Sequence, residues 1–334
     1  RRFDPDREPD RSVAEAMAAN ARTLRASDRA LAKRFVEGFH SADVSRMSER
    51  ALADNGSPGE DVREMRIGRL LAGYVSLVDA LAEPVRSRIQ TGTVVSAVRW
   101  REGRVEVEAR DHAGASLAPV VARSIVVTVP LGNLSAPGTL GAIELDPPVA
   151  TAERAIAKMT MGNVVKLVLQ LDRDFWTDEQ FAERVGALSV DQMSFLQTSE
   201  RVAFPVWWTS YPVRAPVLVA WAGGPPALEL SRCSVEELEA LAIESLATML
   251  ALKPRTVRDR VRATFYHDWI NDPFARGVYS YALVGGHRAS VQLAKPARKT
   301  VWFAGEAADR VGRTGTVHGA IASGWRAADE ILDD

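Results

Sequence analysis

The residues best suited to chemistry lie close to the C-terminus, in the segment TVWFAGEAADRVGRTGTVHGAIASGWRAADEIL. A short apolar strand, 301–303, runs into Gly305 and Glu306, and a glycine-containing loop, 312–315, precedes a helical pattern. The first N–H groups of a helix have no partner within it, and the helix dipole places about half a positive charge there. A strand, a glycine turn and an open helix N-terminus therefore favour an anion-binding site. The alternative is an ordinary strand–loop–helix edge of an α/β domain.

The helix that follows is expected to bury a face of small residues. Its apolar positions recur at spacings of three and four, as on one face of an α-helix. They are Val317, Ala320, Ile321, Gly324, Ala327, Ala328 and Ile331. Because Gly and Ala dominate this face, we expect a flat group or a backbone to approach it closely.

A second candidate is Lys166, which interrupts the otherwise apolar stretch VVKLVLQL. A lysine is almost never buried without a partner, because its charge is costly to remove from water. Lys166 therefore either lies on an edge strand and faces solvent, or is held in this strand for a function.

The elements that must position these residues are assigned from periodicity and from Gly and Pro. A helical pattern extends to about Gly68, and a short helix is predicted over 73–85. Strands are predicted at 93–100, 105–109, 125–129, 164–171, 206–211, 217–221 and 261–269, and a long amphipathic helix at 235–250. The order of elements predicts an α/β fold with α+β parts.

Composition narrows the class of protein. The chain has 334 residues with 46% hydrophobic content, which is enough for a sizeable core. Its net charge of −1 gives no general field for nucleic acid or an anionic membrane, and no apolar run has the length of a membrane span. The single cysteine, Cys233, excludes an internal disulfide, and the five histidines show no metal-ligand spacing. We expect a cytoplasmic protein without a metal site.

Several segments, taken in order, resemble the flavin-dependent amine oxidase family, which includes monoamine and polyamine oxidases and the flavin histone demethylases. They are GYVSLVDALAE, TGTVVSAVRW, ARSIVVTVPLGNL, MGNVVKLVLQLDRDFW, HDWINDPFARGVYSY, FAGEA and GTVHGAIASG. The resemblance covers about Ile67 to Leu332, and the stretch FVEGFHSADVSRMS, 35–48, is similar to the bacterial branch.

The resemblance implies a Rossmann-like FAD-binding domain interleaved with a substrate domain built from a mixed sheet and helices. The implied boundaries are 1–68 for the helical part of the substrate domain, 69–142 for the middle of the FAD-binding domain, 143–294 for the substrate domain and 295–334 for the end of the FAD-binding domain.

The family's opening G-x-G-x-x-G turn, which holds the FAD pyrophosphate, does not occur in this sequence. The chain begins at Arg1 rather than at a methionine. We therefore expect an incomplete FAD-binding domain, roughly one βαβ unit short, which a separate chain could complete. A fragment that holds no FAD and is inactive remains an alternative.

The resemblance assigns roles around the flavin ring. The backbone of Thr316 and Val317 would lie at the N1–C2=O edge, where negative charge develops on reduction. Lys166 would approach flavin N5 through a water and assist dioxygen reduction, and Trp269 would lie against the ring. Tyr279 would form one wall of an aromatic cage for the amine. Thr316 stands where many oxidases have the opposite aromatic wall, which widens the site and makes simple arylalkylamines doubtful substrates.

The remaining implied contacts are with the rest of the cofactor. Gly305 and Glu306 would face the pyrophosphate, with the Glu306 carboxylate bound to the absent glycine turn. Val95 would pair with adenine through its backbone, and Pro130 would lie near the cofactor.

These assignments predict an enzyme that oxidises a primary or secondary amine to an imine, passing a hydride to FAD, which dioxygen reoxidises. The alternative enzyme is an FAD-dependent dehydrogenase of a non-amine substrate, such as a carotenoid or porphyrinogen precursor. The oligomeric state is not predicted.

Overall fold

A computed structural model describes residues 3–21, 25–55, 68–178, 193–198 and 200–333. The helices of this part are α1 (Val13–Ala19), α2 (Ala26–Phe39), α3 (Glu49–Asn55), α4 (Val75–Ala82), α5 (Leu131–Leu134), α6 (Ala150–Ile156), α7 (Pro225–Leu230), α8 (Val235–Met249), α9 (Pro254–Arg258), α10 (Ala289–Leu293) and α11 (Val317–Leu332).

The strands of the same part are β1 (Thr93–Arg101), β2 (Arg104–Asp111), β3 (Val120–Ala122), β4 (Ile125–Val127), β5 (Glu144–Asp146), β6 (Met159–Met161), β7 (Val164–Leu171), β8 (Phe195–Gln197), β9 (Val206–Thr209), β10 (Val217–Gly223), β11 (Val261–Tyr266), β12 (Ser280–Ala282) and β13 (Val301–Phe303).

The largest sheet has five antiparallel strands in the order β11-β7-β10-β9-β8. One face buries Val165, Leu167 and Leu169 of β7 against a core that includes Leu238 and Leu246 of α8. The helix begins with a capping box in which the side chains of Ser234 and Glu237 each accept from the backbone N–H of the other, so its start is locally encoded. The opposite face of the sheet is only partly covered.

Lys166 lies on that second face, at an exposed position of β7. One prediction from the sequence is that Lys166 lies on an edge strand and faces solvent. The edge position is wrong, because β7 is interior and pairs with both β10 and β11. The lysine interrupts the apolar run because successive side chains of a strand point to opposite faces.

Three smaller sheets accompany this one. Strands β3-β2-β1-β5 form a four-stranded sheet, β12 pairs with β6, and β13 pairs in parallel with β4. The hairpin β1–β2 is tied to the strand β13 because the Gly103 N–H donates to Thr300 Oγ1 at 2.9 Å. Segments 69–142 and 295–334 are therefore adjacent in space, and the domain boundaries themselves remain predictions.

The buried face of α11 differs from the predicted face. Gly319, Ser323 and Ala327 are buried, whereas Val317 is 49% exposed and Ala328 is exposed. Ser323 is buried because its hydroxyl is hydrogen-bonded to both the N–H and the carbonyl of Gly305, at 2.8 Å each. Of the predicted face, only Ala327 is fully buried, and apart from the exposed Val317 and Ala328 its remaining positions are half-buried.

Candidate active site

At the N-terminus of α11, a side chain caps one backbone N–H group and the described residues leave two others uncapped. Thr316 caps the helix, because its Oγ1 accepts from the Gly319 N–H at 3.0 Å and donates to the Arg313 carbonyl at 2.6 Å. A Cβ on Gly319 would lie 2.3 Å from the Arg313 oxygen, so only glycine fits there. Among the hydrogen bonds of the described residues, none uses the N–H of Val317 or His318. These two donors are available to an anionic group.

The Glu306 carboxylate joins this loop to β12. It accepts from the Ser280 N–H at 2.9 Å, the Ser280 hydroxyl at 2.8 Å and the Gly315 N–H at 2.7 Å. Burial raises the pKa of Glu306, and the three donors act against that shift. The resemblance assigned this carboxylate to the absent glycine turn, whereas in this chain Ser280 and Gly315 bind it. Gly305 precedes it with φ 120°, a conformation that favours glycine.

Tyr279 immediately precedes Ser280, and its ring lies against the glycine loop. A Cβ on Gly315 would be 3.3 Å from Tyr279 Cδ2. The phenol is held at its far end, where it donates to the Phe39 carbonyl at 2.6 Å and accepts from Ser41 Oγ at 2.7 Å. Burial raises the pKa of Tyr279, so the hydroxyl is protonated and donates at neutral pH. The structure thus places Tyr279, Glu306 and Thr316 together.

In the described part of the chain, no hydrogen bond joins the side chain of Lys166 or Trp269 to this cluster. Lys166 is directly opposite Trp221 of β10 and makes no ion pair with any residue that the structure describes. Trp269 is 44% exposed, and its ring meets His267 edge-on with centroids 4.3 Å apart. Its carbonyl accepts from the Gly277 N–H at 2.8 Å, two residues before Tyr279.

The two remaining predicted cofactor contacts, Pro130 and Val95, lie in different elements of the fold. Pro130 is exposed and caps α5, which packs on the 273–276 turn because Asn133 Nδ2 donates to the Pro273 carbonyl at 2.8 Å. Val95 pairs with Ala109 in the β1–β2 hairpin. Within the described ranges no hydrogen bond joins Val95 to the Tyr279 cluster.

Three serines of the site were not singled out from the sequence. Ser41 supports Tyr279, Ser280 binds Glu306, and Ser323 fixes Gly305 against α11. Serine is common on surfaces and in turns, so its type carries little signal, and each partner lies far away along the chain.

The described residues contain no cluster of His, Cys, Asp and Glu side chains suited to a metal ion. None of their helices combines the length and the apolar character that crossing a membrane requires.

The fold and the site define an α/β protein with a helix N-terminus open to an anionic group and an aromatic side chain beside it. The chain belongs to the family described as flavin containing amine oxidoreductase, whose model matches residues 2–332. The family resemblance of the sequence is confirmed, and membership implies a flavin cofactor.

Two relatives, a polyamine oxidase and a histone demethylase homologue, illustrate the similarity. Polyamine oxidase 4 of Oryza sativa subsp. japonica is 31% identical over 267 residues, which are 79% of this chain and 48% of that protein. Lysine-specific histone demethylase 1 homolog 3 of Arabidopsis thaliana is 30% identical over 277 residues, 78% of this chain and 15% of that protein. The chain therefore spans about half or less of the length of these relatives.

Solved structures agree on the fold. Wild-type putrescine oxidase bound to putrescine matches with a TM-score of 0.77 at 19% identity, covering 97% of this chain and 68% of that one. Cyclohexylamine oxidase from Brevibacterium oxydans IH-35A gives a TM-score of 0.73 at 17% identity, covering 97% and 67%. The predicted mixed α/β fold is confirmed.

Proposed function

We propose that the protein is an FAD-dependent oxidoreductase that converts a primary or secondary amine to an imine, which water hydrolyses to a carbonyl compound. Dioxygen is the final electron acceptor and leaves as hydrogen peroxide. The observation that carries the proposal is the contact of the Tyr279 ring with the glycine loop at the open N-terminus of α11. The names of the relatives favour amine oxidation over the dehydrogenase alternative.

The residues around α11 fit an anionic, planar cofactor. The N–H groups of Val317 and His318 are free of partners in the described chain, and the buried Nε of Arg313 in the same loop also has none there. A Cβ added to Gly324, on the open side of the helix, would meet no atom within 4 Å, so a flat group can approach. We assign the edge of the ring to the Thr316–Val317 backbone.

The chemistry that flavin would supply when bound is the uptake of a hydride from the carbon beside the amine nitrogen. The Tyr279 ring would orient the amine, because an aromatic face accepts a cation by its quadrupole and also tolerates the neutral amine. Lys166 would hold a water and stabilise charge during dioxygen reduction, since its ammonium has no ionic partner in the part of the chain that the structure describes. Trp269, with its ring accessible, would pack against the cofactor.

The pyrophosphate of FAD needs a dinucleotide-binding unit, and α4 offers an apolar surface for it. None of its residues is buried, and Val75, Val78 and Leu81 are 63%, 60% and 50% exposed. The β13–β4 pair is a parallel sheet of two strands, whereas parallel sheets are normally larger and covered on both faces. We propose that the dinucleotide-binding unit covers α4 and extends this sheet.

The test of cofactor binding replaces Val317, the first residue of α11, with proline. Proline is tolerated at this position of a helix, and the extended conformation of Thr316 (φ −128°, ψ 149°) is the one preferred before proline. Val317→Pro removes one proposed N–H donor at little cost to folding. We expect the Kd for FAD, followed by flavin absorbance and fluorescence, to rise about fivefold, as for loss of one hydrogen bond of about 1 kcal/mol.

Val235→Pro is the matched control, because Val235 is also an exposed first residue, after the Ser234 cap of α8. It should leave the FAD affinity unchanged. Equal affinity of both variants and the wild type would contradict the assignment of the α11 N-terminus. The activity is tested with amines under air, and we expect hydrogen peroxide to form. If the flavin is reduced but no peroxide forms, and turnover requires an added quinone as electron acceptor, the protein is a dehydrogenase instead.

A further inference from the structure

The partly covered face of the five-stranded sheet carries a row of aromatic rings. Residues directly opposite each other in antiparallel strands share a face, and the register pairs Lys166 with Trp221, Trp208 with Val219, and Phe195 with Trp208. The rings of Trp221 and Trp208 have centroids 5.3 Å apart, and those of Trp208 and Phe195 are 6.0 Å apart. These spacings are those of interacting aromatic pairs, so the three rings form one continuous wall.

This aromatic wall, defined by Trp221, Trp208 and Phe195, begins at the proposed reaction site. Trp221 Nε1 donates to the Gly38 carbonyl at 2.8 Å, and the Tyr279 hydroxyl donates to the next carbonyl, that of Phe39. Two consecutive carbonyls at the end of α2 therefore hold both the cage tyrosine and the first ring of the wall. From there the wall runs across the sheet to the edge strand β8, where Phe195 is 67% exposed.

The charged groups of this face, like its rings, bear on which amine substituent it would bind. Between Lys166 and Phe195 the register places Val206, Val219 and the two tryptophans on the face, so the lysine is the one ionisable group that these strands contribute. Arg34 of α2 adds a second cation near the β8 end, where its Nη1 donates to the Thr198 carbonyl at 3.0 Å. The rings attract the distal ammonium group of a diamine through their quadrupoles, but the described strands of this face offer no carboxylate to offset its loss of water, and Lys166 adds a like charge. An apolar substituent would instead bury area on the rings, at about 25 cal/mol per Å².

We propose that the aromatic wall binds the substituent of the substrate amine and selects monoamines that carry a large aryl or alkyl group over diamines and polyamines. This inference rests on the proposed amine oxidation. From the sequence, Thr316 makes simple arylalkylamines doubtful substrates because it leaves no opposite aromatic wall beside the cofactor. The inference replaces that expectation, because the rings of the sheet supply the missing aromatic area. The preference sets this chain apart from the polyamine and putrescine oxidases that it resembles.

The test compares 4-phenylbutylamine with 1,4-diaminobutane, which have the same four-carbon spacer and differ at the distal end. With the flavin-loaded protein, we expect kcat/KM to be at least about tenfold higher for 4-phenylbutylamine, which corresponds to about 1.4 kcal/mol. Trp208→Ala should lower kcat/KM for 4-phenylbutylamine about tenfold and change that for 1,4-diaminobutane less than about twofold, with the loss in KM because the contact is remote from the reacting carbon. The non-reactive alcohol 4-phenylbutan-1-ol should inhibit competitively, with a Ki raised to the same extent.

Two variants guard against a folding defect. Phe195→Ala alters an exposed ring of the edge strand and should reproduce part of the Trp208→Ala effect. Gln170→Ala, an exposed polar residue at the far end of the same face of β7, should change neither substrate. Equal or better use of 1,4-diaminobutane, or a preference for 4-phenylbutylamine that survives both ring substitutions, would overturn the inference alone. Oxidation of neither amine by the flavin-loaded protein would contradict amine oxidation itself, and the inference with it.

Discussion

The Tyr279 hydroxyl makes two hydrogen bonds, so we expect its removal to lower the free energy of unfolding. Tyr279→Phe removes two bonds: the one donated to Phe39, at the exposed end, and the one accepted from Ser41. A net hydrogen bond contributes about 1 kcal/mol, and less at an exposed position, so the pair accounts for about 1.5 kcal/mol. Ser41 is 1% exposed, so its hydroxyl loses its acceptor without gaining water.

An unsatisfied buried hydroxyl adds about 1 kcal/mol, the low end of the usual range because serine can rotate. We therefore expect Tyr279→Phe to lower the free energy of unfolding by about 2.5 kcal/mol. Ser41→Ala should cost about 1 kcal/mol, because the phenol still donates to the Phe39 carbonyl. The double variant should cost about 1.5 kcal/mol, which is less than the sum of the two by about 2 kcal/mol, because the Ser41–Tyr279 bond is lost only once and no buried hydroxyl is left unsatisfied.

The measurement is urea unfolding at pH 7 followed by circular dichroism, with the slope of free energy against urea checked for constancy. Tyr74→Phe is the matched control, because Tyr74 is 67% exposed and its loss should change stability by less than about 0.5 kcal/mol. If Tyr279→Phe were as neutral as this control, or the two substitutions were additive, the hydrogen-bond chain from Ser41 to Phe39 would not hold Tyr279 in place.

Three further results are expected. Lys166→Met should slow reoxidation of the reduced flavin by dioxygen at least about tenfold in stopped-flow experiments, and unchanged kinetics would exclude the lysine from this step. Burial lowers the pKa of His40 to about 4, below its unfolded value of about 6.5. Its stabilisation is therefore complete above pH 6.5 and declines as the pH falls towards 4, by about 2 kcal/mol between pH 7 and 5; His40→Gln should flatten this part of the pH profile of unfolding. Gly319→Ala should destabilise by about 2 kcal/mol because its Cβ meets the Arg313 oxygen at 2.3 Å, whereas Gly324→Ala in open space should stabilise by about 0.5 kcal/mol; equal thermal midpoints would contradict the tight start of α11.

Local patterns predicted much of the secondary structure. Strands β7 and β13 have the bounds expected from their apolar runs, and the β1–β2 hairpin turns at Glu102-Gly103 as its alternation indicated. These features depend on neighbours within a few residues, which the sequence displays directly. The predicted strand 261–269 ends earlier, at Tyr266, because the chain turns where the Trp269 N–H donates to the His267 carbonyl.

The sequence by itself determined the family, the fold class and the helix N-terminus that the site is built on, because each is written in contiguous motifs. Only the tertiary structure decided which face of α11 is buried, what satisfies Glu306, and that Tyr279 and Trp221 bind consecutive carbonyls at the end of α2. The physical reason is separation along the chain. Ser41 and Tyr279 are 238 positions apart, and a hydrogen bond between such residues leaves no periodic trace in either segment. Side-chain type states what a residue can bind, and only packing brings the partner within reach.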